Sequence, residues 1–135
     1  MKRKIFLFLD DDAFSPEGIR NPEKYYPLIG ANIILEKMQN YEVTKVTSVE
    51  DAQNFIEKNG CPHFISFDND LQKKLEGIDL AKWLIEKDLD NPGFIPDDFE
   101  FFVHSQNIKA APRIYSLLNQ YLEVKEKTIS VKPKF

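Results

Sequence analysis

The chain begins with an unbroken apolar run, Ile5-Phe6-Leu7-Phe8-Leu9, that ends in three aspartates. A half-exposed strand alternates apolar and polar residues, so a run without alternation predicts a strand buried on both faces of a parallel sheet. Phe64-Ile65-Ser66-Phe67 and Phe101-Phe102-Val103 read the same way, and each also runs directly into polar residues. Val43 to Val49 is diluted by Thr44, Lys45, Thr47 and Ser48. Such a strand tolerates solvent best at a sheet edge, which is where the pattern places it.

Helical periods fill the intervals. Thr47 with Glu50 fits a capping box, Ala52, Phe55 and Ile56 form one apolar face, and Gly60 followed by Pro62 stops the helix. From Gly77 to Leu89, Ile78, Ala81, Leu84 and Ile85 recur at helical spacing, Leu80 and Trp83 widen the stripe, and Asn91-Pro92-Gly93 ends it. Ile114, Leu117, Leu118, Tyr121 and Leu122 mark another amphipathic helix, with Pro112 in its first turn, where a missing N–H costs nothing. Pro22 to Asn40 carries Leu28, Ala31, Leu35 and Met38 at the same spacing. Strand and helix thus alternate, and the tail Thr128 to Lys132 fits a fifth strand. Alternation of this kind predicts an α/β fold: a parallel sheet of four to five strands, order 2-1-3-4-5, with helices on both faces and right-handed crossovers.

Composition narrows the function classes. The chain has 135 residues, 42% hydrophobic and 30% charged, which suits a single domain over residues 1–135 with a real core. Eighteen basic against 22 acidic residues give a net charge of −4. With a pI near 5.2 and scattered basic residues, there is no strong nucleic-acid footprint. The apolar run Ile5 to Leu9 is too short for an export signal or a membrane span, so no membrane partner is expected. Cys61 is the only cysteine, which excludes an intramolecular disulfide and a CxxC metal knuckle and suggests a reducing cytoplasmic setting.

In a sheet of this order, ligands bind outside the carboxyl ends of the first and third strands, where the winding reverses. Asp10, Asp11 and Asp12 follow the first strand, and Asp68 and Asp70 follow the third. Carboxylates gathered into one crevice repel unless a cation neutralises them or some take up a proton. A hard divalent ion, Mg²⁺ or Mn²⁺, suits oxygen ligands and leaves positions for phosphate oxygens. The fourth strand ends in His104-Ser105-Gln106-Asn107, which adds an imidazole, a hydroxyl and an amide to the ring. His63 precedes the third strand, at the end away from the carboxylates, and is assigned no role.

These motifs, in order, resemble the cyclic-phosphate processing receiver domains: Leu9-Asp10-Asp11, Ile65-Ser66-Phe67-Asp68-Asn69-Asp70-Leu71, the helix from Gly77 to Leu84, and Val103-His104-Ser105-Gln106-Asn107. The resemblance spans Lys4 to about Glu126 and implies a flavodoxin-like receiver fold that processes cyclic phosphates at nucleotide or RNA ends. It implies that Asp10 and Asp11, with Asp68, hold the metal, and that Asp68 is the position receivers phosphorylate. Asp70, His104 and Ser105 match further catalytic positions. Asn107, Asn69 and Lys132, the last in a Val131-Lys132-Pro133 step similar to one in signalling receivers, would surround the ligand. Three features depart from the family pattern. Asn69 stands where relatives commonly carry histidine, Arg20 comes later than their arginine, and Ile108 and Ala110 replace a Pro and a Gly.

The leading expectation is a metal-dependent phosphoester-processing enzyme acting on a small phosphorylated or cyclic-phosphate ligand. The alternatives are a signalling receiver phosphorylated on Asp68 and a catalytically silent phosphate-binding module. The segment Ala13 to Tyr26 reads as a loop over the pocket. Oligomeric state has no signature in the sequence.

Overall fold

A computed structural model describes residues 4–10, 40–68, 71, 74–103 and 109–130, with 126–130 described as backbone. Strand β1 (Ile5–Leu9) lies between β2 (Glu42–Val46) and β3 (Phe64–Phe67), and β4 (Glu100–Val103) pairs with β3. Every pairing is parallel, and the order is β2-β1-β3-β4. The polar-diluted strand therefore sits at an edge and the two most apolar strands at the centre. This is a flavodoxin-like arrangement, with the carboxyl ends of β1 and β3 side by side.

Register assigns the side chains to faces. Leu7 pairs with Ile65, and together with Leu9 and Phe67 they meet α1 (Val49–Asn59), α2 (Gly77–Asp90) and α3 (Ala110–Ser130) through Ile56, Leu84 and Leu118. On the other face Phe6 pairs with Phe64, their rings stacked at 4.7 Å, and Phe8 pairs with Ser66. All four are buried. Burial of both faces is why β1 carries no alternation. Each such Leu or Phe contributes about 1.5–3 kcal/mol relative to an exposed side chain.

Helix ends largely follow their local chemistry, with one shift. Ser48, not Thr47, caps α1, its Oγ accepting the Asp51 N–H at 3.1 Å. Thr47 instead donates its hydroxyl to Asp51 Oδ2 at 3.4 Å. Because β2 ends at Val46, both residues fall in the turn and the helix starts one position later than the sequence pattern suggests. Gly60 closes α1 at φ 85°, a left-handed conformation that costs glycine little, and its N–H donates to the Ile56 carbonyl at 2.7 Å. Asp79 opens α2 by accepting the Glu76 N–H at 2.8 Å.

The tail corrects a sequence expectation. Thr128 to Ser130 belong to α3 rather than to a fifth strand. Glu123, Lys125, Glu126 and Lys127 favour helix, and no breaker intervenes before Pro133, so the helix runs on. The rest of that tail, the helical pattern from Pro22 as far as residue 39 and the loop from Ala13 to Tyr26 lie outside the described residues.

Candidate active site at the ends of β1 and β3

Two of the expected site residues are brought together. Asp10 follows β1 directly, and its N–H donates to the Val46 carbonyl of β2 at 3.1 Å. Asp68 follows β3, and its N–H donates to the Leu9 carbonyl of β1 at 3.0 Å. The ladder thus continues one step beyond both strands. Advancing the Phe8–Ser66 pairing by two residues sets Asp10 opposite Asp68, and neighbouring strands lie about 4.8 Å apart. Strand alternation puts both carboxylates on the face of Phe8 and Ser66. Asp10 is buried, at 5% exposure, while Asp68 is half-buried.

Asp11, Asn69, Asp70, His104, Ser105, Asn107 and Lys132 lie outside the described residues. Their chain neighbours are placed, however. Asn69 follows Asp68, and His104 follows Val103, which is paired with Phe67 at the same end of the sheet. Among the described residues no group of three or more His, Cys, Asp or Glu side chains is gathered for a metal, and the Asp10–Asp68 pair is the described part of the acidic set. Its donors are all carboxylate oxygens, the type that hard divalent cations take.

Some groups near these strand ends, on either face of the sheet, were not singled out by their sequence pattern. Lys45 pairs with Phe8, its Nζ 4.7 Å from the ring centroid, and so brings a cation to the face that carries Asp10. The available signal was its register, two residues short of the acid on the neighbouring strand. Tyr115 of α3 accepts the Val103 N–H on its hydroxyl at 3.2 Å. It falls outside the apolar stripe, which gave it no signal.

The opposite end of the sheet carries a separate cluster. Asp88 sits at 3% exposure on the stripe of Ala81 and Leu84, an acid where the helical period calls for an apolar residue. It accepts the Ile95 N–H at 2.8 Å, the Tyr121 hydroxyl at 2.6 Å and, at 3.3 Å, the Lys125 ammonium, which also donates to the Ile95 carbonyl at 2.9 Å. Burial pushes the Asp88 carboxyl up, but bonds from Tyr121, Ile95 and Lys125 outweigh it and hold it below the ordinary carboxylate range. Burial, reinforced by Asp88, pushes Tyr121 up to about 12. Cys61 is also pushed up to about 12, first by burial, so its thiol stays protonated at neutral pH and is no nucleophile. His63 lies at this end too, its N–H donating to the Ile5 carbonyl at 3.1 Å.

With this geometry in place, the comparisons define the class. The sequence matches the model of the cyclic-phosphate processing receiver domain over residues 5–120. The chain belongs to that family, and its fold is that of a receiver domain. No curated protein matches it. Similar solved structures include the receiver domain of NtrX from Brucella abortus, 16% identical over 94% of this chain and 99% of that one, with a TM-score of 0.49. A signal receiver domain from Vibrio parahaemolyticus is 19% identical over 98% and 99% of the two chains, with a TM-score of 0.48. The N-terminal domain of a response regulator/sensory box/GGDEF 3-domain protein from Carboxydothermus hydrogenoformans is 16% identical over 93% and 99%, with a TM-score of 0.47. Among the described residues, no helix is long and apolar enough to cross a membrane.

Proposed function

We propose that this receiver-like domain hydrolyses cyclic phosphodiesters on small phosphorylated ligands, such as nucleotide or RNA ends, with the help of a divalent cation. The observation that supports this reading is the pairing of Asp10 and Asp68 at adjacent strand ends, tied by the Asp68 N–H to Leu9 carbonyl bond of 3.0 Å. Asp10, Asp11 and Asp68 would hold Mg²⁺ or Mn²⁺. When bound, such an ion supplies polarisation of the phosphoryl group and acidification of a water.

The chain's own residues do the remaining work. Asp70 takes the proton of the water whose oxygen adds to phosphorus. His104 gives a proton to the leaving oxygen as its bond to phosphorus breaks, so the ring opens to a monoester. Ser105, Asn107, Asn69 and Lys132 hold the phosphoryl oxygens and set the line of attack. A lone, protonated thiol at Cys61 suits a reducing cytoplasm.

The test is incubation of the pure protein with a panel of 2′,3′-cyclic nucleotides and Mg²⁺ or Mn²⁺. Divalent-dependent appearance of linear monophosphate, abolished by EDTA and by His104→Ala, is expected. No product across the panel would overturn the reading, and tight binding without turnover would turn it into a binding module. A second reading, phosphorylation of Asp68 as in a signalling receiver, is favoured by the half-buried position of Asp68 beside the buried Asp10. Labelling by acetyl phosphate that disappears in Asp68→Asn would identify it.

A further inference from the structure

Strand β2 carries a single cation, Lys45, on a sheet edge whose first two residues are exposed. A lysine on an edge strand ordinarily turns its charge into water and guards the edge. Lys45 is laid the other way. Register pairs it with Phe8 of β1, its ammonium lies 4.7 Å from the centroid of that ring, and Phe8 is 2% exposed. The side chain therefore crosses from the edge strand onto β1, where it is half-buried. Attraction to the ring face holds the charge there. Alternation makes Asp10 the next residue of β1 on the same face, about 7 Å further along the strand, with Asp68 opposite it on β3. The ammonium thus sits one pleat below the acidic pair, within the diagonal reach of a long side chain.

A divalent cation does no more than cancel Asp10 and Asp68, so it leaves nothing to match the charge that a phosphate ester brings. A cyclic phosphodiester carries one negative charge, and the monoester formed from it gains most of a second near neutral pH. Lys45 supplies a positive charge from the β2 side. Its ammonium is a compact point charge with three rotatable donors, which suits phosphoryl oxygens. Ordering over Phe8 lowers the entropy lost when the side chain grips a ligand. We infer that Lys45 is a ligand-binding residue of the candidate site, its ammonium donating to a non-bridging phosphoryl oxygen of the bound ester. This inference rests on the cation-assisted phosphate chemistry proposed above and deepens it.

Lys45→Met removes the charge and keeps a chain of similar length over Phe8, and Lys45→Arg keeps the charge. Three quantities are measured on the full chain: Mn²⁺ affinity without ligand, affinity of the Mg²⁺-loaded protein for inorganic phosphate by calorimetry, and kcat and KM for 2′,3′-cyclic AMP with Mn²⁺. Lys45→Met is expected to weaken phosphate binding and raise KM by about tenfold each, the effect of one charge-assisted hydrogen bond, and Lys45→Arg to lose less. Mn²⁺ affinity in Lys45→Met is expected to be equal or higher, because a neighbouring positive charge has gone. Phosphate affinity or KM unchanged in Lys45→Met overturns the role, as do equal losses in the two variants. A Mn²⁺ affinity that falls along with them also overturns it, since that marks a loosened site. Phosphate binding that depends on Lys45 in a wild-type protein without turnover keeps the role and overturns hydrolysis, whereas wild-type turnover with a normal Lys45→Met overturns the role alone. A wild-type protein that neither binds phosphate nor turns over the ester overturns both.

Discussion

Asp10 and Asp68 stand side by side at adjacent strand ends, where the proposed cation would sit. Side by side at strand ends, their charges repel, and a cation that binds the folded chain alone returns stability as RT ln(1 + [L]/Kd). Asp68→Asn should leave the melting temperature in EDTA equal or higher. It should also shrink by at least half the Mn²⁺-induced gain, which for a wild-type site at about 100-fold excess over Kd is about 2.7 kcal/mol. A variant less stable in EDTA with an intact Mn²⁺ response would contradict that assignment; calorimetry with and without the ion reads both. Asp88 is a buried acid served by donors from Ile95, Tyr121 and Lys125. Its pKa is depressed in the folded state, so its contribution is complete above about pH 5 and disappears as pH falls through the carboxylate range. Tyr121 is raised to about 12, so its contribution is complete below the ordinary value of 10.0 and is lost as pH rises through 12. Thermal melts across pH should show a plateau between these limbs. Asp88→Asn should flatten the acid limb and cost roughly 3 kcal/mol at neutral pH by stranding Lys125, and Tyr121→Phe should flatten the alkaline one.

At the scale of elements, what the sequence made readable was the kind and order of each piece, because hydrophobic period reports burial and burial depends on neighbours only coarsely. The continuous run of β1, the diluted β2 at its edge and the stripes of α1 and α2 all behave this way. Boundaries depend on finer competition. Thr47 and Ser48 are both able caps, and only the end of β2 at Val46 decides between them. Ser48→Ala should therefore cost about 1 kcal/mol, and Thr47→Ala, whose contact is an exposed hydroxyl at 3.4 Å, only a few tenths, measured by urea unfolding. Equal costs would contradict the cap assignment. The tail departs from its strand-like pattern for a related reason: Thr128 and Ile129 have strand propensity, but they follow a helix with no stop signal, and propagation from an existing helix needs no new nucleus. Asp88 and Tyr115 were illegible because a buried polar residue and a helix-to-strand hydrogen bond leave no periodic trace.

For the whole molecule, topology does the assembling. Asp10 and Asp68 are 58 positions apart in sequence, and the parallel order β2-β1-β3-β4 sets them opposite one another. That juxtaposition was legible in advance, since alternating strand and helix patterns leave few topologies and the carboxyl ends of the central strands are where such sheets bind ligands. The central claim is that these strand ends form a cation site. The most direct measurement is anomalous diffraction at the manganese edge from crystals of the full chain grown with MnCl₂. The account predicts a peak between the carboxylates of Asp10 and Asp68, coordinated by their oxygens. A map with no peak there, in crystals whose strands superpose on the sheet described above, would contradict it.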